Sequence, residues 1–154
     1  MPFNATAVLD KLADLAAATT GVDTVYLGAP LATEGQLVVG VSLGGASLLE
    51  PRRMGVVRRR QRFRVLFAYR VGDPAVAGDA GRVAAAERGL AGVVDDFLGR
   101  LYADLTLGGA CYSAVEVDLS QADAPEYRTD AGQEDRVYPI VVGATQEAPF
   151  TPSP

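Results

Sequence analysis

The chain is 154 residues long, with 49% hydrophobic and 21% charged residues, and this composition predicts one folded domain instead of a disordered or fibrous protein. It contains no histidine and one cysteine, Cys111, which excludes Ser-His and Cys-His catalysis, histidine-ligated metals and internal disulfides. The net charge of −5 argues against a dedicated nucleic-acid binder, because such proteins usually carry a positive surface.

The first two predicted elements are a helix and a short strand. Residues 5–18 have apolar side chains at helical spacing, and Asn4 is a residue type that commonly caps a helix. Residues 22–28 are rich in β-branched and aromatic types, which predicts a brief strand. The segment 30–54 has a weaker pattern and four glycines, and we interpret it as a long loop or a β-hairpin excursion.

A strand over residues 56–71 and a long helix over residues 79–105 are the most clearly predicted elements. In the strand, apolar residues alternate with arginines, so one face is expected to pack on the core and the other to be polar. The helix has an apolar stripe in which Glu87 is the one polar member. We expect Asp79 to cap it and Leu107-Gly108-Gly109 to end it.

The C-terminal third is predicted to complete a sheet. Further strands are expected at residues 111–119, 126–129 and 134–146. Two helices are too few to cover both faces of a parallel sheet. We therefore predict an α+β fold, with a mixed or antiparallel sheet, a short N-terminal helix and one long amphipathic helix packed on it. Residues 1–146 are expected to form a single domain and residues 147–154, with three prolines, an extended tail.

One motif resembles a catalytic signature. Gly40-Val41-Ser42-Leu43-Gly44 matches the pattern that exposes the nucleophilic serine of α/β-hydrolases. That serine requires a histidine base, which this chain lacks, so we interpret the segment as a glycine-rich strand or loop. The sequence has no phosphate-binding glycine pattern, and its acidic residues do not follow EF-hand spacing. We expect a protein that is not an enzyme and needs no cofactor or metal.

Charge is unevenly distributed along the chain. Residues 51–72 contain eight arginines and no acid, so this segment carries +8 and the remainder −13. Alternate arginines of a strand share one face, where acidic groups, phosphates or water must relieve their repulsion. The pattern fits a solvated face, a contact with an acidic protein neighbour or a phosphate-binding surface. Our candidates for an interface or a channel lining are Arg58, Arg60, Arg62, Arg64, Asp118, Asp123, Glu126, Asp130 and Glu134.

The chain shows no pattern of export or membrane insertion. Asp10 and Lys11 interrupt the first apolar stretch, unlike the apolar core of a secretion signal. The longest uncharged run, residues 35–49, is shorter than the roughly 20 apolar residues that span a membrane. We therefore expect a cytoplasmic location without membrane contact.

Two segments carry a resemblance to a known family. One is Asp104-Leu-Thr-Leu-Gly-Gly109 after the long helix, and the other is Glu134-Asp-Arg-Val-Tyr-Pro-Ile-Val-Val142 in the last strand. Together with the short first helix and the extended strand, they resemble the tail terminator (tail completion) proteins of long-tailed bacteriophages over nearly the whole chain. The segment 30–54 matches no element of that family.

The resemblance implies a small structural virion protein without catalytic residues. Its protomers would form a ring, usually a hexamer, that caps the tail tube and joins it to the head-tail connector. The implied partners are the tail tube protein and the connector or head-closure protein, with transient contact to genomic DNA in the lumen. The implied location is the tail-neck junction of the virion, after assembly in the host cytoplasm. Alternatives are another connector, head-closure or minor tail protein, or a small non-viral ligand-binding α+β domain.

Overall fold

The structure is a computed structural model that describes residues 3–28, 35–53, 55–72, 80–130 and 132–149. Within these ranges it has an α+β architecture with two helices and six strands, which confirms the predicted fold class. A single 3-10 turn lies between the fourth and fifth strands, at Ser120–Ala122. The elements in chain order are α1 (Ala5–Ala18), β1 (Thr24–Leu27), β2 (Leu37–Arg53), β3 (Val56–Gly72), α2 (Ala80–Ala103), β4 (Glu116–Asp118), β5 (Glu126–Asp130) and β6 (Gln133–Pro149).

The strands form one mixed sheet in the order β1-β2-β3-β6-β4, and β5 also pairs with β6. The β1–β2 pair is parallel and the other pairs are antiparallel. β4 and β5 both pair with the edge of β6 that faces away from β3, at residues 141–143 and 133–137. The central strands β2, β3 and β6 have 17 residues each, so each is about 55 Å long.

The main core lies between the helices and one face of the sheet. Alternate β3 residues on this face, Phe63, Val65 and Phe67, are fully buried. The rings of Phe67 and Phe97 meet edge to face with centroids 5.3 Å apart, so α2 packs directly on β3. These contacts confirm the predicted core face of the strand. The buried residues of α2 are Ala86, Leu90, Val93, Val94, Phe97 and Leu101.

The opposite face, which we call the outer face, carries a smaller apolar cluster and then the arginines. Val38, Leu66, Ala68 and Val137 form this cluster, with Tyr26 packed against it. The cluster lies on the side of Leu66 toward the C-terminal end of β3, whereas the candidate arginines occupy the N-terminal half of that strand. The outer face therefore changes from apolar to basic along β3.

Residues 37–53 of the segment 30–54 form a strand that makes a hairpin with β3, and not a loop. Backbone pairing continues from Leu37–Tyr69 to Arg53–Val56. Three register shifts between Leu43 and Arg53 let the ladder pass the glycines without ending. Residues 30–34 and 54 lie outside the described residues.

The predicted strand over residues 111–119 is wrong except at its end, because only Glu116–Asp118 pairs in the sheet. Leu107, Gly108 and Gly109 have φ values of 52°, 66° and 86°, and this left-handed turn redirects the chain after α2. The Tyr112 amide then donates to the carbonyl of Thr145 at 2.8 Å and the Val115 amide to that of Leu105 at 2.9 Å. Each of these amides donates one isolated hydrogen bond that is not part of a strand pairing.

The last strand continues to Pro149, so the tail boundary predicted after residue 146 is three residues too early. Glu147, Ala148 and Pro149 pair with Arg58, Val57 and Val56 of β3. Pairing extends this far because β3 continues as a strand to Val56, which pairs with Pro149. Residues 150–154 and the predicted cap Asp79 lie outside the described residues.

Asn4 caps α1 and ties it to the end of β6. Its Oδ1 accepts a hydrogen bond from the Ala7 amide at 3.0 Å, and Gln146 Nε2 donates to the Asn4 carbonyl at 3.0 Å. We expect Asn4→Ala to lower the free energy of unfolding by about 1 kcal/mol, and Asn4→Ser by less, because serine keeps a capping oxygen. Urea unfolding measures both, and equal stability of Asn4→Ala and the parent would contradict the cap.

Candidate assembly surface

The four candidate arginines form a row on the outer face of β3. They alternate with Arg59, Gln61 and Phe63, of which Gln61 and Phe63 are buried, and successive arginines of the row are about 7 Å apart. The residues of β6 that pair with this row in register are Glu147, Thr145, Gly143 and Val141.

Two of these arginines pair with carboxylates of the same chain. Arg58 binds Glu147 on β6 with Nη2 and Oε1 2.6 Å apart, and its Nε donates to the same oxygen at 3.0 Å. Arg60 approaches Glu116 on β4 at 3.4 Å. The chain itself therefore relieves part of the repulsion for which the sequence suggested an outside partner.

Arg62 and Arg64 form the half of the row that has no ion pair among the described residues. Both side chains are exposed, and among the described residues neither has a carboxylate oxygen within 4 Å. Asp118 on β4 interacts electrostatically with Arg62. Hydrogen bonds from the hydroxyl and amide of Ser120 hold the pKa of the Asp118 carboxyl below its usual value, and the charge of Arg62 acts in the same direction.

The other candidate acids lie toward the opposite end of the sheet. Asp123 follows the 3-10 turn, Glu126 and Asp130 belong to β5, and Glu134 lies near the start of β6. Glu134 is nine residues from the β6 position that pairs with Arg62, a separation of about 30 Å along the strand. The structure brings Asp118 toward the arginine row, and the pairing of β5 with β6 places Glu126, Asp130 and Glu134 away from it.

A buried ion cluster, not identified from the sequence, joins β3, β5 and β6. Asp135 is fully buried, with its Oδ1 3.1 Å from Arg70 Nε and its Oδ2 3.9 Å from Arg128 Nη2. In the two ladders, Asp135 stands opposite Arg70 on one side and Arg128 on the other. This cluster can be identified only from the register of the β3–β6 and β5–β6 pairings, and the sequence alone does not give that register.

The polar member of the α2 stripe also has a partner in the sheet. The Glu87 carboxylate accepts a hydrogen bond from Arg136 Nε at 2.6 Å, and the Arg136 side chain is only 7% exposed. A second nitrogen of this guanidinium donates to the carbonyl of Val137. Glu87 therefore interrupts the apolar stripe because it balances a buried cation on β6.

A cleft of about 460 Å³ lies between α1, the turn after α2 and the end of β6. Cys111 is buried in its wall. Burial raises the pKa of this thiol to about 11, and the charge of Asp104 contributes to the same shift. The cleft therefore holds a protonated thiol at neutral pH. Its lining residues are Asn4, Ala7, Lys11, Leu107, Gly108, Gly109, Ala110, Cys111, Tyr112, Gln146 and Glu147.

The Cys111 thiol is expected to react slowly with alkylating reagents. A pKa of about 11 leaves roughly one thiol in a thousand ionised at pH 8, against about a quarter for a free cysteine with a pKa near 8.5. We expect iodoacetamide labelling, followed by mass spectrometry, to be roughly 200-fold slower in the native protein than in denaturant. The rate should rise with pH until about pH 11. Equal rates in the two states would contradict this assignment.

The serine of the hydrolase-like motif lies inside a regular strand. Ser42 stands in β2 opposite Arg64, in the ladder that runs between β2 and β3. The nucleophile of an α/β-hydrolase lies instead in a sharp turn from strand to helix. The segment Gly40–Gly44 therefore contributes to the sheet.

Two further features concern metals and membranes. Across the described residues, no group of three or more Asp, Glu, Cys or His side chains is placed to hold a metal ion. None of the helices in the described ranges combines the length and the apolar character needed to span a membrane.

Comparison with protein-family models finds no match for this chain, and comparison with curated protein sequences finds none either.

Proposed function

We propose that this protein is the tail terminator of a long-tailed bacteriophage, a structural protein whose copies form a closed ring. The ring, a hexamer by the resemblance, caps the tail tube and joins it to the head-tail connector. The tail tube protein and a connector or head-closure protein are then its partners, and the tail-neck junction of the virion is its location.

The order of elements supports this proposal. The chain has a short first helix, the long strand β3, a 24-residue helix that is followed by a left-handed Leu107–Gly109 turn, and a long final strand. These are the features on which the resemblance to tail terminators depends. The supporting observation is thus the arrangement of these four elements, and no single residue carries it.

The distribution of charge on the sheet supports assembly into a ring. On the outer face, Arg62 and Arg64 stand toward one end of β6 and the exposed Glu126 stands toward the other, opposite Val137. A surface with different ends favours a head-to-tail contact between copies, because unlike patches attract and like patches repel. Head-to-tail contacts close into rings when the rotation between neighbours divides the circle.

The proposal is tested by imaging and by interruption of the gene. We expect electron micrographs of the concentrated protein to show closed rings with a central channel. We expect a phage in which this gene is interrupted to produce headless tails of irregular, excessive length, and the intact gene supplied in trans to restore normal particles. A normal tail length and a normal yield of joined particles without the protein would overturn the proposal.

A further inference from the structure

The exposed large apolar side chains of the described residues lie mainly at the two opposite edges of the sheet. Leu27 and Leu43, 65% and 56% exposed, lie at the β1–β2 side, which we call the first edge. Tyr112, Leu119 and Tyr127, 58%, 41% and 41% exposed, lie at the β4–β5 side, which we call the second edge. Tyr102 on α2 is the one exception in these ranges. Exposed apolar groups that lie close together, as the two leucines do, are typical of a protein interface.

The first edge is compact. Leu27 pairs with Val41 in the β1–β2 ladder, and Leu43 follows Val41 by two residues, so both leucines point to the same face of the sheet. β1 ends at Leu27, and beyond this point β2 is the outermost described strand. The two leucines therefore stand side by side where the sheet narrows by one strand.

The second edge is formed by residues that lie along the edge of β6 that faces away from β3. The Tyr112 amide donates to Thr145 of that strand, Leu119 directly follows β4, and Tyr127 belongs to β5. Each of these side chains thus reaches solvent at the side of the sheet farthest from β1.

The charged groups near the two edges differ in sign, and the arginines lie on the outer face, opposite the face to which the two leucines point. Arg62 and Arg64 lie one strand in from the first edge, and the β2 residues beside them are small. Ser42 pairs with Arg64, and Gly44 lies beside Arg62. The second edge carries exposed carboxylates. They belong to Glu116, Asp118, Asp123 and Glu126.

We propose that the first edge of one copy contacts the second edge of the next copy, so that Leu27 and Leu43 pack against Tyr112 and Leu119. This inference depends on the proposed function in assuming that copies associate, and it identifies the surfaces that meet. The edges differ in residues and in charge, so the contact is heterologous and extends head to tail. The register shifts of β2 beyond Leu43 disfavour addition of a neighbour's strand, so side chains make the contact.

The test uses two double variants of the full chain. Leu27→Asn with Leu43→Asn alters the first edge, and Tyr112→Asn with Leu119→Asn alters the second. All four side chains are at least 41% exposed, so the subunit is expected to keep its fold, which circular dichroism checks. Tyr102→Asn, 61% exposed on α2, is the matched control.

The masses of the assemblies, measured by light scattering over a concentration series, distinguish the possible contacts. We expect the parent and the control to assemble alike, and each double variant alone to remain a monomer. A mixture of the two double variants retains one intact first edge and one intact second edge, so it should form a 1:1 dimer and nothing larger. No symmetric contact predicts this result.

Three results would overturn this inference. They are a parent that stays monomeric at its highest soluble concentration, a double variant that assembles like the parent, and a mixture that remains monomeric. If double variants assemble normally and the phage still requires the protein for tail completion, the edges are wrong and the proposed function stands. If the edge results hold and tails are normal without the protein, the proposed function fails and the contact stands.

Salt dependence tests the charged part of the same contact. Added salt should weaken association of the parent, because it screens the attraction between the edges. Arg62→Glu with Arg64→Glu should weaken association roughly tenfold or more and reverse the salt effect, since like charges then face each other. Arg88→Glu on the exposed side of α2 is the control. An unchanged association constant in the Arg62, Arg64 variant would show that these arginines lie outside the contact.

Discussion

Replacement of Phe97 by alanine is expected to lower the free energy of unfolding by about 3–5 kcal/mol, the usual cost of truncating a buried aromatic side chain. Phe97 is fully buried and its ring meets that of Phe67 edge to face. The truncation removes this contact and leaves a void between α2 and β3, where packed neighbours can only partly collapse.

Tyr102→Ala on the same helix is the matched control. This side chain is largely exposed, so its loss should change stability by no more than about 0.5 kcal/mol. Thermal or urea unfolding measures both variants. A loss within that range for Phe97→Ala would mean that α2 does not pack on the sheet through this residue.

Replacement of Asp135 by alanine is expected to cost about 3 kcal/mol, at the lower end of the range for breaking a buried ion pair. The carboxylate is fully buried between Arg70 and Arg128, whose side chains remain 24% and 31% exposed. Without Asp135 the two guanidinium groups face each other across β6 with no anion between them. Their partial access to water keeps the cost from being larger.

Two comparisons isolate this effect in urea unfolding. Asp135→Asn should cost less than Asp135→Ala, because the amide oxygen can still accept the Arg70 hydrogen bond. Glu126→Ala, which removes an exposed carboxylate on β5, should change stability by about 0.5 kcal/mol or less. Similar stabilities for Asp135→Ala and Glu126→Ala would show that the buried cluster is not stabilising.

The elements with strong side-chain periodicity could be predicted from the sequence. The α1 range matches its prediction, and α2 and β3 match within a few residues, because each buries one face against a continuous core. β2 could not be delimited, since its glycines and Pro51 favour a loop locally and only the ladder with β3 holds them extended. The predicted strand over residues 111–119 is wrong for the opposite reason. Its alternation is typical of a strand, but most of its backbone has no strand partner.

The candidate surface was predicted less completely than the fold. Alternation alone places Arg58 and Arg60 on one face with Arg62 and Arg64. Their carboxylate partners cannot be found in the same way, because Glu147 is 89 residues from Arg58 and Glu116 belongs to a strand of only three residues. Ion pairs of this kind follow from the register of distant strands, which a single sequence does not contain.

The central β3–β6 pair has a consequence for the order of folding. Its ladder joins residues 56–72 to residues 134–149, so the chain must close a loop that contains all of α2 before the centre of the sheet exists. The β2–β3 hairpin, by contrast, closes through a turn of a few residues. Contacts between distant residues form slowly because closing a long loop costs conformational entropy. The hairpin can therefore form before β6 pairs with it. Until β6 arrives, the apolar side of the hairpin and one long edge of β3 stay open, and premature pairing with another nascent chain is the hazard that this topology must avoid.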